Sequence, residues 1–373
     1  MSAGNRPLSG LRVLSLAQQL PGPYCGLLLA DLGAEVILIE QIPAGDPARV
    51  FPDLFEVTNR SKKSVALDLK HPAGLEAFKR LAATAQVVLE GFRPGVAERL
   101  GIDFESVKAV RPDVIYCSIS GYGQTGPARL VPGHDLSYQA RAGAIAPEGG
   151  GHSSLPIADL SSAMFATVAV LGMLSERALG GAPAARYIDV SMAESVLAWN
   201  AIQIRRGMTG QEAGGEPAYG MFATADGYLT LSIAHEDHFW RALCACFQRE
   251  DLGALGGAER RARATELGLW VREQLAARTT ADLLALFNRA GVPAGPVNLP
   301  HQTLADDQFI ARESFFKIQG QDYVRPPWRF EGDTPMAEPA PAVGMHTRAY
   351  LREVGYTDAE IARLLAEGAA MNG

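Results

Sequence analysis

Leu11-Arg-Val-Leu-Ser-Leu16, Pro21-Gly-Pro-Tyr24, Cys25-Gly-Leu-Leu-Leu-Ala-Asp-Leu32, Gly33 and Glu35-Val-Ile-Leu-Ile-Glu40 follow one another in the chain, and this run decides the fold. The first segment reads as a buried strand, broken by the two prolines. Residues 25–32 form an apolar helix that Gly33 ends, and residues 35–40 are a second strand. The pattern continues with an amphipathic helix over 73–83 and a third strand, Gln86-Val-Val-Leu-Glu90. Val114-Ile-Tyr-Cys-Ser-Ile119 is a fourth, followed by the turn-rich Ser120-Gly-Tyr-Gly-Gln-Thr-Gly-Pro127. Strands separated by helices of this length predict a parallel α/β sheet. Ligands of such sheets sit at the carboxyl ends of the strands, where these glycine- and proline-rich loops fall.

The loop after the first strand excludes one common use of such a sheet. A dinucleotide site needs Gly-x-Gly-x-x-Gly there, and residues 17–24 instead carry Pro21 and Pro23, which lack N–H groups for a pyrophosphate. Glu40 alone does not rescue that reading. No phosphate-binding P-loop, zinc-ligand spacing or Gly-x-Ser-x-Gly elbow occurs.

Beyond residue 155 the pattern changes. Pro156-Ile-Ala-Asp159 ends a short apolar run and precedes a long apolar helix reaching Ala178. Taken alone, Asp159 reads as a helix N-cap. Tyr187-Ile-Asp-Val-Ser191 is a further strand and residues 192–203 another helix. Five glycines between 207 and 220 suggest a linker. Residues 219–233 read as a hairpin turning at Asp226-Gly227, followed by helices to Ala290. The expected organisation is a large domain over 1–205, a linker over 206–222, a small domain over 223–325 and a C-terminal segment over 326–373.

A chain of 373 residues with 47% hydrophobic content can bury a large core. Its net charge of −7 argues against a nucleic-acid partner. Cys25, Cys117, Cys244 and Cys246 make no metal pattern, and four cysteines at this length fit a reducing compartment. No signal peptide is evident, and no uninterrupted apolar run reaches about 18–20 residues. The expectation is a soluble cytoplasmic protein with no membrane contact and no metal.

Seven stretches, in order, resemble the class III CoA-transferase family, which includes the 2-methylacyl-CoA racemases. They are Pro21-Gly-Pro-Tyr24, Leu29-Ala-Asp-Leu-Gly-Ala-Glu-Val36, residues 59–70, Gly91-Phe-Arg-Pro-Gly-Val96, residues 120–127, Tyr187-Ile-Asp-Val-Ser-Met192 and Gly291-Val-Pro-Ala-Gly-Pro-Val297. Gly344-Met-His-Thr-Arg348 also fits. The resemblance implies a doubly wound, Rossmann-like large domain, a smaller α+β domain, and two subunits interlocked as a homodimer. The site would lie between the large domain of one subunit and the small domain of the other.

Coenzyme A would be a substrate, as its thioester, and not a permanently bound cofactor. Its phosphates need local positive charge, and Arg60, Lys62, Lys63, Lys70 and Arg93 form the best cluster in the N-terminal half. Arg93 resembles the family's CoA-contacting arginine, and Pro21 lies in the matching loop after the first strand.

In the family's transferases the aspartate matching Asp159 attacks the acyl-CoA thioester, giving a mixed anhydride and then an aspartyl-CoA thioester. A small carboxylic acid completes the exchange. Gly214 and Gly215 loosely resemble the family's mobile glycine loop, though a plain linker is the favoured reading. In the racemases that aspartate works with a histidine as a two-base pair. His134 and its neighbour Asp135 match that histidine and its acid, Glu236 matches a glutamate paired with it, and Leu20-Pro21 also fits the racemases. Against this, Leu160-Ser-Ser-Ala163 follows Asp159 where racemases carry a glycine run, and methionine is not concentrated. The balance favours CoA transfer. Racemisation is the alternative, and acyl-CoA binding without turnover is a third.

Overall fold

The structure is a computed structural model that describes residues 6–145, 154–209, 215–331 and 337–373. Its contacts divide the chain into two units, Met1–Ile204 with Ser314–Gly373, and Arg205–Glu313.

The first unit is built on a seven-stranded sheet. Its parallel strands are β1 (Arg12–Ser15), β2 (Glu35–Glu40), β3 (Lys63–Leu67), β4 (Val87–Glu90), β5 (Ile115–Ser120) and β6 (Arg186–Ser191). Their order is 3-2-1-4-5-6, so the direction of winding reverses between β1 and β4. That is the doubly wound topology, and the reversal opens a crevice at the carboxyl ends of those two strands. The mixed α/β fold with a large parallel sheet is the one the sequence predicts. Strand β3 was not read from sequence. Its entry, Arg60-Ser-Lys-Lys63, is charged, and its apolar run is short.

Helices cover both faces. On one face α1 (Pro21–Asp31) and α7 (Ile157–Ala178) bury Cys25, Leu29, Ala163, Ala166 and Val170 against Val13, Val36, Val87 and Ile115. On the other, α3 (Pro72–Ala82) and helices over 104–110, 347–353 and 358–366 bury Phe78, Leu81, Val107, Leu351 and Ile361 against Leu14, Ile37 and Val88. Each such side chain contributes roughly 1.5–3 kcal/mol. By length and composition α7 is apolar enough to cross a membrane. Its small-residue stripe, Ala163, Ala166 and Val170, packs on the sheet, while Met164, Phe165 and Val168 stay exposed. It begins at Ile157, earlier than the sequence reading, because Pro156 takes the N-cap position.

The chain end returns to this unit. Ala370–Met371 pairs antiparallel with β3, and Thr347 Oγ1 accepts from Ala66 N at 3.0 Å. The hairpin of Phe315–Ile318 and Gln321–Val324 also belongs here and not to the small domain expected to run to residue 325. The reason is local: the Arg60 guanidinium lies over the Phe316 ring, and the Tyr323 hydroxyl meets Glu56.

The second unit holds a three-stranded antiparallel sheet of Tyr219–Ala223, Tyr228–Ser232 and Ala294–Pro296. Trp240, Leu243, Leu267, Val271, Leu275, Leu283 and Phe287 form its core. Cys244 belongs to that core and Cys246 packs against it.

Candidate active site

The crevice between β1 and β4 is a cleft of about 450 Å³. Gln18 to Pro21 after β1, Gly91 to Pro94 after β4, and Ser120 to Tyr122 after β5 line it. Arg129, Gly133, His134, Tyr138 and Asp159 also line it, so Asp159, His134, Arg93 and Pro21 share one cavity. Each loop is held in place from behind. Gln19 takes a left-handed backbone (φ 68°), and its N–H donates to the Asp46 carboxylate at 3.1 Å. Pro21 opens α1, where its fixed φ suits the first turn. Glu40, the acid that suggested a nucleotide site, is occupied by Arg49, Ser64 and the Asp46 N–H.

Asp159 lies in the first turn of α7, two residues past its start, and does not cap the helix. The cap comes from another element. Asp135 opens the short helix α6 (Asp135–Arg141), and its Oδ1 accepts from Ala158 N at 2.6 Å and Asp159 N at 3.3 Å. The buried Gln139 amide donates to Asp135 Oδ2. Burial, and after it the charge of Asp135, push the Asp159 carboxyl up to about 7. The sequence reading makes Asp159 the acceptor of the helix's first N–H groups. In the structure those N–H groups are directed at Asp135. The serines after Asp159 are buried and serve the helix: Ser161 and Ser162 donate to the carbonyls of Ala158 and Asp159.

His134 immediately precedes α6 and is exposed. Its loop is pinned by Tyr138, whose hydroxyl donates to Gly133 O at 2.6 Å and whose ring meets Tyr122 edge-on at 5.1 Å. Burial pushes the Tyr138 hydroxyl up to about 12, so it stays a donor at neutral pH. Gly121 makes room for it, since a Cβ there would lie 2.5 Å from the Tyr138 oxygen.

The expected basic cluster does not assemble at the cleft. Arg60 is buried and makes two hydrogen bonds to Asp31, at 2.6 and 2.8 Å. Lys62 is buried, with Nζ donating to Pro23 O at 2.7 Å and Asn59 Oδ1 at 2.9 Å. Lys63 pairs with Glu338, and Lys70 is exposed, outside the cleft lining. The sequence shows their charge but not their internal partners, which come from distant segments. The cleft's cations are Arg93 and Arg129. Arg129, Tyr138 and Ser120 were missed from sequence. Arg129 and Tyr138 flank the His134 motif, and that closeness was the available signal. The Ser120 hydroxyl is buried in the cleft wall without a hydrogen-bond partner.

Glu236 belongs to the second unit, where it accepts from Ala234 N at 3.1 Å at the head of the helix Asp237–Cys246. Gly214 lies outside the described residues, and Gly215 is exposed with open space around its Cα. Among the described residues, no group of His, Cys, Asp and Glu could hold a metal ion.

The family model described as CoA-transferase family III matches residues 8–347. The succinyl-CoA:glutarate CoA-transferase of Mus musculus is 31% identical, over 97% of this chain and 90% of its own. The alpha-methylacyl-CoA racemase of Mus musculus is 32% identical, over 96% of both chains. The crystal structure of a CAIB/BAIF family protein from Brucella suis superposes with a TM-score of 0.83 and 30% identity, covering 94% of this chain and all of that one.

Proposed function

The chain belongs to CoA-transferase family III, and we propose that it moves CoA from an acyl-CoA to a small carboxylic acid through covalent intermediates on Asp159. The observation that carries this reading is the half-buried Asp159 carboxyl in a cleft at the sheet's winding reversal, which two arginines also line. Burial strips water from the carboxylate and makes it more basic, hence a better nucleophile.

The ionised Asp159 attacks the thioester carbonyl. The C–S bond breaks, CoA leaves as thiolate, and a mixed anhydride remains. The thiolate then attacks the Asp159 carbonyl and expels the donor acid as carboxylate, leaving an aspartyl-CoA thioester. The acceptor carboxylate attacks that thioester, and the released thiolate takes the acceptor acyl group, restoring the Asp159 carboxylate. Charge and protons balance without a general acid. Arg93 is assigned to the anionic parts of CoA and Arg129 to a carboxylate of the acceptor, since guanidinium groups form paired hydrogen bonds with both. Succinyl-CoA and glutarate, named for the mouse transferase, are the first donor and acceptor to test.

A second reading has its own observation. His134 lines the same cleft as Asp159, as a two-base racemase needs, and the mouse racemase is an equally similar relative. Glu236 would then pair with His134 from a second subunit. A homodimer suits either reading, because Met164, Val168, Leu197, Trp199 and Ile202 leave apolar surface exposed on the first unit.

One assay separates the two. The protein is incubated in D2O with several acyl-CoAs, among them a chiral 2-methylacyl-CoA, and a panel of free acids, and the thioesters are read by mass spectrometry. New acyl-CoA species support transfer. Deuterium at the α-carbon of an unchanged thioester supports racemisation.

A further inference from the structure

Helix α7 has no cap of its own. Pro156 occupies the N-cap position and offers no side-chain acceptor, yet Asp159 sits in the first turn. The missing acceptor is Asp135, twenty-odd residues upstream, whose Oδ1 takes the N–H groups of Ala158 and Asp159. Its other oxygen takes the side-chain amide of Gln139, which is 2% exposed. Both oxygens of Asp135 therefore act as acceptors of N–H groups, two of them from a helix N-terminus.

We propose that Asp135 is a positioning residue that caps α7 from outside and sets its own carboxylate beside the backbone of Asp159 as that residue's charged neighbour. It does not touch the reacting atoms. An acid in the first turn of a helix is ordinarily stabilised as an anion by the free N–H groups. Here Asp135 takes those N–H groups and presents a like charge to Asp159, which reverses the usual effect. The outcome fits the two contributions to Asp159, burial first and Asp135 second, that carry it to about 7.

Other charged or titratable groups on the elements around Asp159 are Tyr138 and Arg141 from α6, His134, Tyr122 and Arg129 from the preceding segment, and Arg93 from the β4 loop. The Arg141 guanidinium lies over the Tyr122 ring. Of the acids on other elements packed against α7, Asp31 of α1 is held by Arg60, while Asp189 of β6 and Glu194 of the helix over 192–199 line a neighbouring pocket, so Asp135 is the acid acting on Asp159. The function of this arrangement is to hold a carboxylate more basic than a surface aspartate at the point of attack, with its backbone fixed by the same group. The inference rests on Asp159 being the reacting carboxyl proposed above.

The test reads Asp159 directly in the substrate-free protein. Carboxyl resonances of 13C-aspartate-labelled protein are titrated, with Asp159→Asn identifying the signal. Asp135→Asn keeps an oxygen for the Ala158 and Asp159 N–H groups, and a turned Gln139 amide satisfies its new NH2. In that variant the Asp159 midpoint is expected to fall by about one pH unit or more, with the melting temperature nearly retained. Asp135→Ala is expected to lose the cap as well and to melt lower. Asp135→Ser, neutral with a short acceptor, is read in the same way should Asp135→Asn not fold. An unchanged Asp159 midpoint in the folded neutral variant overturns the proposal. Because the titration uses no substrate, absence of CoA transfer in the wild-type protein would remove the functional reading and leave the titration result standing. Where transfer is present, the acid limb of kcat/KM moves to lower pH by the same amount as the midpoint.

Discussion

Lys62 Nζ donates to the carbonyl of Pro23 at 2.7 Å, tying the entrance of β3 to the first turn of α1, on which one wall of the cleft is built. This amine is enclosed, and burial pulls it down to about 7. The unfolded chain holds that proton up to about pH 10.4. Between pH 7 and 10 the native state therefore binds fewer protons than the unfolded state, and stability from this group rises with pH across that window. Lys62→Met is expected to remove that rise, so the wild-type protein gains on the variant from pH 7 to 9.5 in guanidinium denaturation. Parallel pH curves for the two proteins would contradict the burial argument.

Asp159 carries the opposite sign. Its folded value of about 7 lies above the roughly 3.9 of an unfolded aspartate. The native state binds more protons between those values, so stability from this group falls as pH rises through them. Asp159→Asn is expected to match the wild type near pH 4, to melt higher at pH 8, and to have no turnover. A variant that melts lower at pH 8 would mean that the ionised carboxylate has a stabilising partner.

His134→Ala separates the two chemistries on one scaffold. Under CoA transfer the imidazole is a neighbour of the reacting carboxyl and not its proton partner. The variant is then expected to keep more than about a tenth of wild-type transfer, a smaller loss than the 10²–10⁴-fold typical of a removed general base. A loss in that larger range, together with α-deuterium exchange in the wild type, would move the assignment to racemisation.

Arg129→Ala addresses substrate recognition. Loss of a charge-assisted hydrogen bond to a carboxylate costs about 1.5–3 kcal/mol, which raises KM for the acceptor acid about 10- to 100-fold. KM for the acyl-CoA is expected to change little. A rise confined to the acyl-CoA would instead assign Arg129 to the CoA phosphates.

The sequence and structure agree where signals are local. The strands around Val13, Ile37, Val88 and Ile115 were readable because each apolar run is short and bounded by turn residues. The cleft was readable from the glycine- and proline-rich loops after them. What could not be read were contacts across the chain. Arg60 and Lys62 both read as phosphate ligands, but Arg60 is held by Asp31 and Lys62 by Pro23 and Asn59. Asp159 resembled a helix cap because the real cap, Asp135, comes from another helix. Strand β3 escaped because its charged entry hides a run, Val65-Ala-Leu67, that is fully buried only after β2 and the C-terminal strand flank it.

The account's central claim is that Asp159 carries the CoA group during turnover. Rapid acid quench of the enzyme mixed with succinyl-CoA, followed by peptide mass spectrometry, tests it most directly. The predicted result is a CoA adduct on the peptide containing Asp159, absent in Asp159→Asn and discharged by added glutarate with formation of glutaryl-CoA. An unmodified Asp159 peptide, from enzyme that exchanges the α-proton of a 2-methylacyl-CoA with D2O, would contradict it.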